Sequence, residues 1–143
     1  MNARLAAYWT TTTLTALFFL TGGAAYLLRV EETVQGMLAL GYPGYFVTIL
    51  GIWKLLGSLA ILAPRFPRLK EWAYAGIAFD LTGAALSHAA MGHPAAKVAV
   101  PLVLFGIAVA SWGLRPASRK LGAAAARPTT AASGVHGPAV AGG

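Results

Sequence analysis

An all-α membrane protein, with four transmembrane helices in an up-down-up-down bundle, is the fold that three features of this 143-residue chain predict. The first is composition: 57% of residues are hydrophobic and 10% charged, a balance of membrane chains rather than soluble domains. The second is the division of that apolar content into four runs, at about residues 8–28, 45–63, 71–90 and 98–114. Each approaches the ~20 residues that a helix needs to cross a hydrocarbon core of ~30 Å. The third is the placement of charge. With four spans, Arg4, Arg65, Arg68, Lys70, Arg115, Arg119, Lys120 and Arg127 fall on one side, against Arg29 and Lys97 on the other. Excess Lys and Arg marks the cytoplasmic face, so both termini are expected there, in a cell inner membrane of bacterial type.

Residues 1–7 then form a short cytoplasmic N-terminus, and 8–114 the membrane domain. The first run opens with Tyr8-Trp9 and four threonines and continues to Leu28. A cleaved leader is the competing reading; the single basic residue Arg4 and the length of the apolar stretch favour a span. Residues 29–44 make the longest connection, and the spacing of Val34, Met37 and Leu38 after Glu31-Glu32 predicts a short surface helix. Gly41-Tyr42-Pro43-Gly44 turns the chain into the second run, and Gly92-His93-Pro94 precedes the fourth. The shared G-x-P pattern fits either a parallel internal repeat or ordinary punctuation of helix starts. Beyond Arg115-Pro116 the chain is rich in Ala, Gly and Pro with scattered basic residues, which predicts a disordered tail over 115–143 with His136 exposed in it. Trp9, Trp72 and Trp112 fall at the predicted inner boundary, as an interfacial aromatic belt does.

The second and third runs form a hairpin about the basic turn Pro64 to Lys70, and each carries one ionisable residue near its centre, Lys54 and Asp80. At ~1.5 Å per residue, Lys54 lies about 15 Å before Pro64 and Asp80 about 14 Å after Glu71, so the two are level and expected to meet. A charge at the centre of a span costs roughly 2.5–3.5 kcal/mol on insertion scales, which is why it faces protein or water and takes a partner. Gly51, Gly57 and Ser58 share the Lys54 face, and Ala73, Gly76, Gly83, Ala84 and Ser87 the Asp80 face; small residues there predict close helix contact. Two readings of the pair stand: a buried bridge that fixes helix register, or a proton-titratable or anion-contacting site.

His88 lies about 12 Å beyond Asp80 along the helix, so a relay between them needs water or another side chain. With Ser87 it completes a candidate ligand or proton site, Lys54, Asp80, Ser87 and His88. His88 and His93 lack a third ligand at metal-binding spacing, and the absence of Cys removes thiolate zinc and iron–sulfur sites, so no metal, haem or cluster is expected. Phe18, Phe19, Phe46, Phe79 and Phe105 suit either core packing or a flat pocket of the kind a quinone takes. The net charge of +7 is divided among loops and tail, which argues against nucleic acid as a partner. No phosphate loop, nucleophile elbow or HExxH pattern marks an enzyme.

Read together, Leu40-Gly41-Tyr42-Pro43, Gly51-Ile52-Trp53-Lys54-Leu55-Leu56-Gly57, Pro64-Arg65-Phe66-Pro67-Arg68-Leu69-Lys70-Glu71-Trp72 and Phe79-Asp80-Leu81-Thr82-Gly83-Ala84-Ala85-Leu86-Ser87-His88 resemble the DoxX-like family of small four-helix membrane proteins. The resemblance covers about residues 8–114 and places Lys54, Asp80, Ser87 and His88 on positions that the family pattern marks. The chain departs from that pattern at Ala25-Tyr26, where a basic residue is expected, and at His93, where an acidic one is common. The resemblance implies a family in which most members have no assigned activity; with no enzyme motif in the chain, the reading is a non-catalytic accessory or scaffold, with a membrane redox enzyme or another membrane protein as partner. A quinone-binding subunit of a redox complex and a small proton-coupled transporter are the alternatives, and homo-oligomers are compatible with glycine-rich faces.

Overall fold

The computed structural model describes residues 2–122, and over that range the regular structure is all helix, without strands. Five α-helices follow one another: α1 (Ala3–Leu27), α2 (Glu31–Ala39), α3 (Gly44–Leu62), α4 (Pro67–Ala90) and α5 (Ala95–Leu114), then a 3-10 turn at Ala117–Arg119. The Asn2 side chain accepts from the Leu5 N–H and so caps the start of α1. The short helix expected after Glu31-Glu32 is α2, and both glutamates sit in its first turn, where the helix dipole favours them.

Three helix ends share one construction. At Leu28, Leu40 and Met91 the helix closes, and the next residue enters the left-handed region: Arg29 (φ 56°), Gly41 (φ 87°) and Gly92 (φ 67°). The two following N–H groups bond back in the Schellman pattern, Gly41 to Leu38 and Tyr42 to Met37 in one case, Gly92 to Ala89 and His93 to His88 in another. Pro43 and Pro94 then stand at the N-caps of α3 and α5, where a missing N–H costs nothing. The G-x-P echo in the sequence is thus one local device used twice.

The four long helices close a ring, with α1 against α3 and α5, and α4 against α5 and α3. All four contribute to the core, which joins Ala16 and Phe19, Ile61, Tyr74 and Ile77 with Leu81, and Ala108. α1 and α3 approach most closely at Gly23 and Gly51: a Cβ on Gly23 would stand 2.9 Å from the Gly51 carbonyl oxygen. Around the charged residues the small side chains do something other than the expected close packing. Cβ atoms built on Gly57, Gly76 and Gly83 would meet nothing within 4 Å, and Gly57 and Gly76 border open space between α3 and α4. Gly22 and Gly23 of α1 face α3.

Large apolar side chains cover the outside, Leu14, Ile52, Leu59, Phe79 and Val103 among them. A surface of that kind suits lipid rather than water. By length and composition α3 and α5 are each able to cross a membrane, and α1 with α2 qualifies as one span bent by 90°. α4 falls outside that set, its apolar content lowered by Arg68, Lys70, Glu71 and Asp80.

α4 starts at Pro67, so the turn after α3 is shorter than the basic run in the sequence, and it is made by two consecutive left-handed residues, Arg65 and Phe66. The segment expected to open a disordered tail holds structure as far as Gly122. Arg115 is buried there, and Arg119 donates to the Tyr8 hydroxyl at 3.2 Å. The rest of that tail, with His136, lies outside the described residues.

Candidate functional site

Lys54 and Asp80 face one another from α3 and α4, Nζ 2.6 Å from Oδ2, with side chains 9% and 13% exposed. The Lys54 ammonium also lies 4.4 Å from the centre of the Phe19 ring, 5.7 Å from that of Tyr26 and 6.0 Å from that of Phe18. An ammonium carries three donors. Among the described residues Asp80 is its one oxygen partner, and the aromatic faces beside it stabilise the cation without accepting a full hydrogen bond.

The pair stands between two cavities. On one side a half-open groove of about 570 Å³ runs between α3 and α4, bounded by Phe19, Phe46, Trp53, Trp72, Gly76 and Phe79, with Lys54 and Asp80 on its wall. Gly57 and Gly76, which line it without close neighbours, keep it open. Trp53 and Trp72 are largely exposed at its mouth. On the other side a cleft of about 490 Å³ lies among α1, α3, α4 and α5, with Tyr26, Lys54 and Asp80 at one end and His88 and Lys97 at the other.

Of the remaining candidates, Ser87 donates to the Gly83 carbonyl and therefore accepts from the Tyr42 hydroxyl, both at 2.8 Å. This ties the loop after α2 to α4. His88 and His93 meet through their Nδ1 atoms at 2.8 Å, so one donates and the other accepts. No group of three His, Asp or Glu residues is placed to hold a metal among the described residues. Among the belt candidates Trp72 projects freely, Arg119 lies over the ring of Trp9, and Trp112 donates from Nε1 to Glu71 at 2.8 Å.

Several polar residues to which sequence reasoning assigns no individual role do specific work at the end where α3 turns into α4. Lys70, counted in the sequence as one more charge of a basic turn, is fully buried and donates to the carbonyls of Ala60 (2.9 Å), Ile61 (2.8 Å) and Ala63. It thereby satisfies the orphan acceptors at the end of α3, where the helix dipole welcomes a cation. Burial, with Arg119 and Arg115 nearby, pulls its pKa down to about 8. Arg115 pairs with Glu71 at 2.7 Å, and Ser111 bonds both Thr12 (2.6 Å) and Tyr74 (2.7 Å), joining α1, α4 and α5. The i,i+1 sequence of Lys70 and Glu71 gave no sign that one would reach backward to carbonyls and the other across to α5.

No curated protein and no solved structure gives a significant match to the chain. A family model does: that of the DoxX-like family aligns with residues 10–111, a stretch from α1 to the last turn of α5 that contains the charge pair and both cavities. The chain belongs to the DoxX-like family, and it is a membrane protein.

Proposed function

We propose that the protein spans a bacterial-type inner membrane four times, termini on the cytoplasmic side, and serves as an accessory subunit without catalysis of its own. In this reading it holds a small apolar ligand of quinone type for a partner membrane enzyme. α4 supplies the fourth span, over about residues 71–90, because the charges within it are compensated by protein groups: Glu71 by Arg115, Asp80 by Lys54. The observation that carries the ligand reading is the groove. It is apolar, opens sideways past Trp53 and Trp72, has room for a ring of that size, and sets one buried ammonium with unused donors in its wall. A quinone carbonyl is an uncharged acceptor, which suits Lys54 without displacing Asp80. Phe19 and Trp53 offer flat apolar contact to the ring.

The test is titration of a short-tailed quinone into the purified protein in lipid nanodiscs, with tryptophan fluorescence as readout. Saturable quenching, reduced in Trp53→Phe, lost when Trp72→Phe is added, and weakened at least tenfold in affinity in Lys54→Met, is expected, together with quinone in organic extracts of gently purified protein. Non-saturable quenching and quinone-free extracts from a complex with its partner defeat the reading. The alternative, that the pair only sets the register of α3 and α4, is favoured if Lys54→Met changes stability but leaves the titration unaltered.

A further inference from the structure

The cleft on the far side of the charge pair is a separate space from the groove, and its polar groups are of a different kind. Lys54 and Asp80 form its deep wall, Tyr26 flanks them, and His88 and Lys97 stand toward the other end. The distance along α4 that separates Asp80 from His88 is bridged by this one cavity of about 490 Å³. Charge is unevenly distributed in it. Its one carboxylate, Asp80, is engaged by Lys54 at 2.6 Å, while Lys97 is exposed and makes no ion pair among the described residues. His88 is bonded to His93 and adds no negative charge. A cleft with low-dielectric walls and an excess of one sign focuses its field and concentrates ions of the opposite sign.

We propose that this cleft is a water-accessible vestibule for a small organic anion, a carboxylate or sulfonate, drawn in past Lys97 toward the free donors of Lys54. The site goes beyond the quinone groove and does not depend on it, since the two meet only at the wall formed by the pair. The anion is held by cations of two helices, Lys97 of α5 and Lys54 of α3, while Tyr26 of α1 adds a hydroxyl. Asp80 keeps Lys54 in place and limits the net charge, so a monovalent anion fits the balance better than a phosphate.

The chain has no cysteine, so single cysteines report cleanly on its accessibility. Ala84→Cys and Leu104→Cys put a thiol on the α4 and α5 walls of the cleft, and Val103→Cys puts one on the outer apolar surface of α5. Each variant, in nanodiscs, is treated with a sulfonate-bearing or a trimethylammonium-bearing methanethiosulfonate, and every rate is divided by that of a free thiol. Both cleft positions should react and Val103→Cys should not. The sulfonate should be favoured by about tenfold at low salt, less as salt is added, and the preference should vanish or invert with Lys97→Glu. No reaction at either cleft position shows a dry cavity and overturns the proposal. So does an equal or cationic preference, or one that Lys97→Glu leaves intact. Two wall positions guard against one variant failing to fold, and tryptophan quenching by quinone on the same samples reports the groove separately.

Discussion

Gly23 of α1 lies so close to Gly51 of α3 that a Cβ on Gly23 would stand 2.9 Å from the Gly51 carbonyl oxygen, and a Cβ on Gly51 would press at 3.0 Å on the Cβ of Tyr26, one turn further along α1. Membrane helices pack through such small-residue seams because lipid offers no hydrophobic driving force between them. Gly51→Ala or Gly23→Ala should therefore lower the thermal stability of the detergent-purified protein, by about 1–3 kcal/mol of overpacking. Gly106→Ala, where an added Cβ meets nothing, should leave the melting temperature unchanged or slightly higher. Equal loss in all three variants would remove the seam as the cause.

For the charge pair the informative experiment is a cycle. Removing one partner of a buried bridge leaves the other uncompensated, so Lys54→Ala and Asp80→Ala should each cost about 3–5 kcal/mol and lower membrane abundance. The exchange Lys54→Asp with Asp80→Lys should recover most of that loss, since the 2.6 Å contact is remade with its ends reversed. Unchanged abundance in the single variants would show that the bridge contributes nothing to the fold.

Ser111 is the junction of a buried hydroxyl chain, and Ser111→Ala strands Thr12 and Tyr74 together. Losses of about 1–3 kcal/mol are expected from unsatisfied buried hydroxyls. Tyr74→Phe added to Ser111→Ala should cost less than the sum of the two, because one bond is counted in both single variants. Strict additivity in thermal melts would count against the chain acting as a unit.

Lys70 gives a pH signature. Its pKa in the fold is lowered to about 8 from 10.5, so the folded state penalises the charged form. That penalty is complete below pH 8 and fades as pH rises from 8 toward 10.5, while the neutral amine still donates two hydrogen bonds. Across this window the wild-type protein should gain melting temperature relative to Lys70→Met, whose own profile lacks the contribution. Below pH 8 the difference between the two should be constant. A wild-type curve that falls relative to the variant above pH 8 would contradict the assignment.

The meeting of Lys54 and Asp80 was legible because both are counted from one turn along helices of fixed rise, and side chains at matching depth on a hairpin have little choice of partner. The role of Lys70 was not legible. Its partners are backbone carbonyls, which every residue carries and no sequence pattern marks. Glycine was readable only in part: at Gly41 and Gly92 the turn chemistry is local, whereas the choice between seam and open groove at Gly51 and Gly57 depends on which helix comes near. Arg29 shows the limit from the other side, since it occupies a left-handed position usually given to glycine, and its guanidinium reaches the Gly44 carbonyl at 2.9 Å.

The seam and the groove lie on different faces of α3, one closed against α1 and the other left ajar toward α4. Substitutions on the α4 wall of the groove therefore leave the tight interface untouched. The α4 wall of the groove can thus be altered residue by residue while the joint between α1 and α3 stays as it is.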